Sequence, residues 1–224
     1  AEEEYQRLAE SGRKLLEFER VCHAVESRIR ANNVIVDIGS GPGRYAEYFL
    51  DKGYTLGCVD LSARSLKLFS DRINDRHNKK LIFNHVSCAT QLHWIDDNIA
   101  DALLLMGPMY HLTTSETRNK VLSECQRILK SDGHLFVMYM SPHPVFSAEP
   151  WLQKNMLQQP NGIVTYTNFK ERMVPQFRCT PDQAAKEAEP YFKSIDKVNI
   201  FDSESSNPND STSQYLMIYK NGKG

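Results

Sequence analysis

The sequence has few of the features that mark membrane, disulfide-rich or nucleic-acid-binding proteins. None of its apolar runs approaches the roughly 20 residues that span a bilayer. The five cysteines are odd in number, widely spaced and without a CxxC pair, which favours reduced thiols over a disulfide framework or a zinc knuckle. Lys and Arg total 27 against 28 Asp and Glu, so a net charge of −1 disfavours nucleic acid as a partner. The first residues, AEEEYQRL, do not resemble a signal peptide, and we expect a cytoplasmic protein.

Short β-rich runs alternate with helical patterns through the middle of the chain. An amphipathic stripe of apolar residues predicts a helical segment within residues 1–31. The predicted strands of this part are 33–38, 55–60, 81–86, 101–106 and 134–140. The predicted helices between them are 44–52, 62–74 and 115–130, the last with Ser115 as N-cap and Asp132-Gly133 as its stop. This alternation indicates βαβ units in an α/β fold with a doubly wound, mostly parallel sheet.

The periodicity changes after residue 140. The stretch SPHPVFSAEPWLQKNMLQQPNG contains four prolines, and a mixed pattern follows it, so we predict an inserted cap over residues 141–192. Two further strands are predicted at 194–201 and 213–220, separated by a mobile polar loop at 202–212. We therefore expect a single domain in which a core (32–140), the cap and closing strands (193–224) follow the helical segment.

The segment VIVDIGSGPGRYAE, residues 34–47, places three glycines between a predicted strand and a predicted helix. A turn of this kind directs backbone N–H groups and the positive end of the helix dipole towards a ligand. The pattern Asp37-x-Gly39-x-Gly41-x-Gly43 differs from two common nucleotide-binding loops. A dinucleotide fingerprint needs its third glycine at the position of Arg44, and a P-loop needs a Gly-Lys-Ser/Thr sequence that the segment lacks.

The second predicted strand ends in Asp60, twenty-one residues after Gly39. A carboxylate at this place can accept both hydroxyls of a ribose, in NAD enzymes and in others. Alternatively, Asp60 caps the helix that begins in SARSLKLF. The spacing favours the ribose interpretation.

Two long stretches carry a family resemblance. VIVDIGSGPGRYAEYFLDKGYTLGCVDLSARSLKLF resembles motifs I and II of class I S-adenosylmethionine-dependent methyltransferases, and it is most similar to the ubiquinone and menaquinone biosynthesis group. IADALLLMGPMYHLTTSETRNKVLSECQRILKSDGHLFVMYM resembles the fourth strand, the following helix and the fifth strand of that group. The resemblance covers residues 32–140. It implies S-adenosylmethionine as cofactor, S-adenosylhomocysteine as product, and a seven-stranded Rossmann-like sheet with an antiparallel last strand and a cap after strand five.

The resemblance also implies a set of cofactor-binding residues, namely Asp37, Gly39, Gly41, Gly43, Asp60, Leu61, Cys88, Ala89, Met106 and Gly107. The three glycines would let the backbone approach the methionine moiety, and Asp37 would orient its ammonium. Asp60 would bind the ribose and Leu61 would pack on the adenine. Cys88 stands where the family often has an acid that contacts the adenine amino group, so this contact would fall to the backbone.

The segment GPMYHL follows the fourth predicted strand, at the carboxyl edge where open α/β sheets bind ligands. Methyl transfer from a sulfonium needs a well-placed nucleophile, and a base only if the acceptor must lose a proton early. His111, beside Tyr110, is either this general base or a residue that caps or orients the next helix. The residues expected to meet the acceptor are Tyr45, Tyr139, His143 and Trp151.

GPMY is also similar to the [Asn/Asp]-Pro-Pro-Tyr signature of amino-directed nucleic-acid methyltransferases. Gly107, however, offers no acceptor for the hydrogens of an amine, and Met109 replaces the second proline. We therefore expect a methyltransferase that acts on a small-molecule acceptor and uses no metal. Two alternatives stay open, a peptide or protein methyltransferase and a non-catalytic S-adenosylmethionine-binding protein.

Overall fold

The computed structural model describes residues 12–73, 79–141, 157–158, 163–167, 173–200 and 214–222. The strands in these ranges are β1 (Val34–Ile38), β2 (Thr55–Asp60), β3 (Leu81–Val86), β4 (Ala100–Leu105), β5 (Leu129–Met140), β6 (Leu157–Gln158), β7 (Ile163–Thr167), β8 (Met173–Phe177), β9 (Phe192–Asn199) and β10 (Gln214–Asn221). The helices are α1 (Gly12–Glu26), α2 (Arg44–Asp51), α3 (Ala63–Arg72), α4 (Pro108–His111), α5 (Ser115–Ile128) and α6 (Pro181–Ala188).

Seven of the strands form one sheet in the order β3-β2-β1-β4-β5-β10-β9. β1 pairs in parallel with β2 on one side and with β4 on the other, and β2–β3 and β4–β5 are also parallel. β10 runs antiparallel to both of its neighbours. The prediction of a doubly wound, mostly parallel seven-stranded sheet with an antiparallel last strand is thereby confirmed.

The central strands β1 and β4 are mostly apolar, apart from Asp37 and Asp101, as expected of strands that helices cover on both faces. In β1, Ile35 packs in one core cluster with the helical residues Phe49 and Phe69, whereas Val36 packs in the other cluster with Val121 of α5. Alternation along the strand places successive side chains on opposite faces. Each fully buried large apolar side chain contributes roughly 1.5–3 kcal/mol to folding. Two cores of this kind hold the ends of β1 and β4 rigidly in place.

The transition from α5 to β5 differs from the prediction. The helix begins after an N-cap at Thr114, not Ser115, and it ends at Ile128. Asp132-Gly133 therefore lies inside β5 and does not stop the helix. The pairing between β4 and β5 is irregular here. Ala100 pairs with Leu129, whereas Ala102 pairs with His134, so an advance of two residues in β4 corresponds to five in β5. A Cβ at Gly133 would lie 2.7 Å from the Leu129 side chain, so close packing in the bulge accounts for this glycine.

A second, three-stranded sheet in the order β6-β7-β8 lies in the region predicted to form the cap. β8 leads back into the core through Phe177 and Cys179, and the Cys179 amide donates to the Met140 carbonyl at 3.1 Å. Arg118 of α5 forms a largely buried ion pair with Glu187 of α6 at 2.7 Å. The domain boundaries stay a prediction, and the loop predicted at 202–212 lies outside the described residues.

None of the helices in the described ranges has the length and apolar character that crossing a membrane would require.

Candidate functional site

A cavity of about 300 Å³ opens at the carboxyl ends of β1, β2 and β4. This is the switch point of the sheet, since the chain continues from β1 to one side and later from β4 to the other, and open α/β sheets bind ligands at such a point. The lining residues are Lys14, Glu17, Asp37, Gly39, Ser40, Gly41, Pro42, Arg44, Tyr45, Asp60, Ser65, Met106, Gly107 and Tyr110.

The three glycines of the loop have different surroundings. All are left-handed, with φ of 78° at Gly39, 55° at Gly41 and 82° at Gly43. At Gly41 a Cβ would meet no heavy atom within 4 Å, so its backbone is open to an approaching group. At Gly43, which caps α2, a Cβ would lie 2.3 Å from the Phe69 ring. Gly43 does not line the cavity, and its role is to let α3 pack against the loop.

The Asp60 carboxylate holds the loop and lines the cavity. One oxygen accepts from the Gly41 amide at 2.8 Å, and the other accepts from the Ser62 amide at 2.8 Å. Ser62 is the N-cap of α3, and its side chain accepts from Ser65. The helix therefore has a cap of its own, and the Asp60 carboxylate is presented between the loop and α3.

Asp37 is the buried acid of the site, with only 1% of its surface exposed. Its Oδ2 atom has no hydrogen-bond partner within the described part of the chain. Burial and, to a smaller extent, the charge of Asp60 raise the pKa of this carboxyl from 3.8 to about 7. A buried carboxylate without a donor is costly, so this position favours a ligand that brings a positive charge or a donor.

Helix α1 contributes a wall that the sequence did not predict. Lys14 and Glu17 line the cavity and form an ion pair at 2.8 Å. Phe18 stacks on Tyr45 with 5.2 Å between ring centroids, and the Arg44 guanidinium lies 4.3 Å from the centre of the Phe18 ring. The periodicity of α1 predicted a packed helix, but it did not indicate which element the helix would meet.

Tyr45 and Tyr110 both line the cavity, and their predicted roles towards the acceptor stay a prediction. Burial raises the pKa of Tyr45 well above its ordinary value, so its hydroxyl stays protonated at neutral pH. Tyr110 lies on α4, a short helix with Pro108 in its first turn that the sequence analysis missed. His111 is exposed and does not line the cavity, but its ring lies 4.6 Å from that of Tyr110. Desolvation lowers the pKa of His111 below its ordinary value.

Other predicted residues are not at the cavity. Tyr139 is fully buried in the core and stacks on Tyr215 at 5.8 Å, because its position in β5 turns it towards α5 and α6. Leu61 is 71% exposed beside Asp60. Cys88 is half-buried, with its thiol 3.1 Å from the Thr90 hydroxyl, and Ala89 is also half-buried. The two residues predicted on the cap, His143 and Trp151, lie outside the described ranges.

Comparison with known proteins agrees with this geometry. Residues 36–137 match a methyltransferase domain. This region contains the glycine loop, Asp60 and α4, so the methyltransferase domain supplies most of the lining of the cavity.

Similar solved structures have the same fold. A S-adenosylmethionine-dependent methyltransferase of Methanosarcina mazei superimposes with a TM-score of 0.71 at 16% identity, over 88% of this chain and 96% of that one. The 1,6-didemethyltoxoflavin N1-methyltransferase of Burkholderia thailandensis, with 1,6-didemethyltoxoflavin and S-adenosylhomocysteine bound, superimposes with a TM-score of 0.64 at 18% identity, over 95% and 79% of the two chains. An uncharacterized protein of Methanocaldococcus jannaschii is 25% identical over 73% of this chain and 70% of its own. Part of the chain therefore matches a methyltransferase domain, and the described structure shares the fold of these solved methyltransferases.

Proposed function

We propose that this protein is a methyltransferase that binds S-adenosylmethionine in the cavity and transfers its methyl group to a small-molecule acceptor. The observation that carries the proposal is the placement of two carboxylates around an open glycine backbone. Asp37 presents a buried oxygen without a described partner, and Asp60 lies across the loop from it.

The residues around Asp37 suit the amino-acid end of the cofactor. Its ammonium would meet the Asp37 carboxylate, which supplies the acceptor that a buried cation needs. Arg44, whose Nε atom is buried without a hydrogen-bond partner among the described residues, would meet the cofactor's carboxylate. The N-terminus of α2 adds a partial positive charge at the same place.

The adenosine end would lie over β2. Asp60 would accept the ribose hydroxyls, and the exposed side chain of Leu61 would pack on the adenine. The chain departs from the family at Cys88, which has no carboxylate to offer to the adenine amino group. Recognition of this amino group would depend on the backbone at Cys88 and Ala89.

When bound, the cofactor supplies an activated methyl group on a sulfonium. The protein then has to exclude water and place the acceptor in line with that methyl. Tyr110 and Met106 lie at the part of the cavity beyond β4, where they are in reach of an acceptor. His111 would receive the acceptor's proton where one must be lost, and the lowered pKa keeps its imidazole neutral for this role.

The charge balance favours a small molecule over nucleic acid as the acceptor. The net charge of −1 offers no general attraction for nucleic acid. The solved relative that holds 1,6-didemethyltoxoflavin shows that the fold accommodates such an acceptor.

A thermal-shift experiment tests the proposed cofactor. S-Adenosylmethionine and S-adenosylhomocysteine at about 100 times their dissociation constants should raise the free energy of unfolding by about 2.7 kcal/mol, because they bind only the native state. NAD and NADP should give no comparable shift, since Arg44 occupies the position of the third fingerprint glycine. Stabilisation by the dinucleotides alone would overturn the proposal.

Asp60→Ala should weaken binding of S-adenosylhomocysteine by ~1.5–3 kcal/mol, because the ribose loses charge-assisted hydrogen bonds. Calorimetry would measure the change. Asp71→Ala is the matched control, since Asp71 is an exposed acid on the neighbouring helix that pairs with Lys67. Wild-type affinity in a folded Asp60→Ala protein would exclude the ribose role.

A further inference from the structure

Helix α3 holds the glycine loop from both of its ends. At its start, Asp60 and Ser62 connect the helix to the Gly41 amide, as described above. At its end, the Nη2 atom of Arg72 donates to the Pro42 carbonyl, the next residue of the loop. Gly41 is thereby held by Asp60, just before α3, and the adjacent Pro42 is held by Arg72, at the end of α3.

The Pro42 carbonyl needs such a donor. Pro42 is buried, and a buried carbonyl without a partner costs free energy. The neighbouring carbonyls of Ser40 and Gly43 accept backbone amides, from Gly43 at 3.0 Å and Glu47 at 2.8 Å respectively. The Pro42 carbonyl instead accepts from a side chain outside the loop. Pro42 itself has no N–H that could hold its orientation.

The Arg72 guanidinium also reaches helix α2. Its Nε atom donates to the Glu47 carboxylate at 3.3 Å, and both side chains are about a quarter exposed. One rigid group thus joins the loop, the first turn of α2 and the end of α3. Arginine can satisfy these two directions at once because its donors are held in a fixed plane, whereas lysine presents a single point charge.

We propose that Arg72 is a positioning residue for cofactor binding, which fixes Pro42 so that Gly41 and the N-terminus of α2 face the cavity. Arg72 is not among the lining residues, so it acts through the loop. The inference rests on the proposed function, since it assumes that the cavity binds S-adenosylmethionine. It adds a residue outside motifs I and II to the determinants of cofactor affinity.

The test combines binding with loop dynamics in four proteins: wild type, Arg72→Met, Arg72→Lys and the control Lys67→Met. Lys67 lies on the same helix and pairs with the exposed Asp71 at 2.9 Å. Arg72→Met should weaken S-adenosylhomocysteine binding by up to about tenfold, because the ligand must then order the loop that the Arg72 hydrogen bond holds in the unliganded wild type. It should also speed amide hydrogen exchange of residues 39–48 in the unliganded protein. Arg72→Lys should recover part of both, and Lys67→Met should change neither.

The two readouts separate the possible failures. A folded Arg72→Met protein with wild-type affinity, whether or not its melting temperature falls, would show that Arg72 is only structural and would overturn the inference. Unchanged exchange in residues 39–48 would overturn it as well. If the wild type binds no S-adenosylhomocysteine while exchange in Arg72→Met rises, the role of Arg72 in the loop stands and the proposed cofactor fails.

Discussion

Asp37→Asn is expected to stabilise the unliganded protein at pH 8 and to weaken its binding of S-adenosylhomocysteine by about 10²–10³-fold. The loss of affinity follows because the ligand's ammonium would be buried without a counter-charge, and removing one partner of a buried pair costs about 3–5 kcal/mol. The gain in stability follows because the unliganded site buries a carboxylate that lacks a donor within the described residues. The same atom would thus destabilise the empty protein and bind the ligand.

The pH dependence gives the sign of the stability effect. The pKa of Asp37 is about 7 in the folded protein, whereas that of an unperturbed aspartate is 3.8. Burial is the main cause of the rise, and the charge of Asp60 is the second. Between these values the native state holds a proton that the unfolded state has released. The stability that the protonated form of Asp37 gives to the folded protein is fully present below pH 3.8 and is lost as the pH rises through 7. Asp37 therefore lowers the stability at pH 8 by roughly 4 kcal/mol relative to its protonated form.

Other ionisable groups near Asp37 do not supply the missing charge. Burial raises the pKa of Tyr45 and of Cys58 well above their ordinary values, and the charge of Asp37 adds to both shifts. These groups are consequently neutral at pH 8. Glu17 is acidic and is paired with Lys14, and the Arg44 guanidinium lies over the Phe18 ring. The two bases and three acids among the lining residues, Lys14 and Arg44 against Glu17, Asp37 and Asp60, thus leave a net charge of −1 when Asp37 is ionised, which a cationic ligand would relieve.

Chemical denaturation of wild type and Asp37→Asn at pH 5 and pH 8, together with calorimetry at pH 8, measures both effects. The two proteins should differ in stability at pH 8 by much more than at pH 5. Asp71→Asn, which changes an exposed carboxylate, should alter neither quantity. An Asp37→Asn protein that is less stable at pH 8, or that retains wild-type affinity, would contradict the assignment of Asp37 to the ammonium.

The alternation of strands and helices and one side of the cavity follow from local sequence signals. The glycines and the acids near the ends of β1 and β2 all lie within about 25 residues of sequence, and a parallel sheet brings such strand ends together. In the structure Asp37, Gly41 and Asp60 line the cavity, and their roles there stay a prediction. The end of α5 could not be predicted from local signals. The helix ends at Ile128 because Leu129 pairs with β4, a strand that is distant in sequence.

The remaining part of the site depends on contacts between distant segments. Lys14 reaches the cavity because α1 packs on α2 through Phe18, and no short-range pattern specifies that partner. Tyr139 was predicted to lie at the site because it is near the carboxyl end of β5. The alternation of side chains along the strand instead turns Tyr139 into the core. Arg72 could be identified only from its bond to the Pro42 carbonyl, which is 30 residues away in sequence.

His111→Ala is expected to lower turnover by ~10²–10⁴-fold while cofactor affinity stays nearly unchanged, provided that the acceptor must lose a proton. Release of S-adenosylhomocysteine from a panel of small metabolites would first identify an acceptor. His111 is a candidate base because it is adjacent to Tyr110, which lines the cavity, with the two rings 4.6 Å apart. His93→Ala is the matched control, because this exposed histidine does not line the cavity.

The pH profile separates a base from a structural residue. Desolvation lowers the pKa of His111 below 6.5, so its neutral form predominates at pH 7 and is lost only as the pH falls through that lower value. In the wild type, kcat/KM should therefore rise with pH through this value and then level off. The acidic limb should be absent from the residual activity of His111→Ala and present in His93→Ala. If His111→Ala keeps the limb and loses less than about threefold in turnover, His111 only orients the next helix, α5, and the acceptor is a nucleophile that needs no base. Tyr110→Phe then becomes the decisive variant, because Tyr110 lines the cavity and its hydroxyl lies 3.7 Å from the place of a Cβ at Gly107, another lining residue.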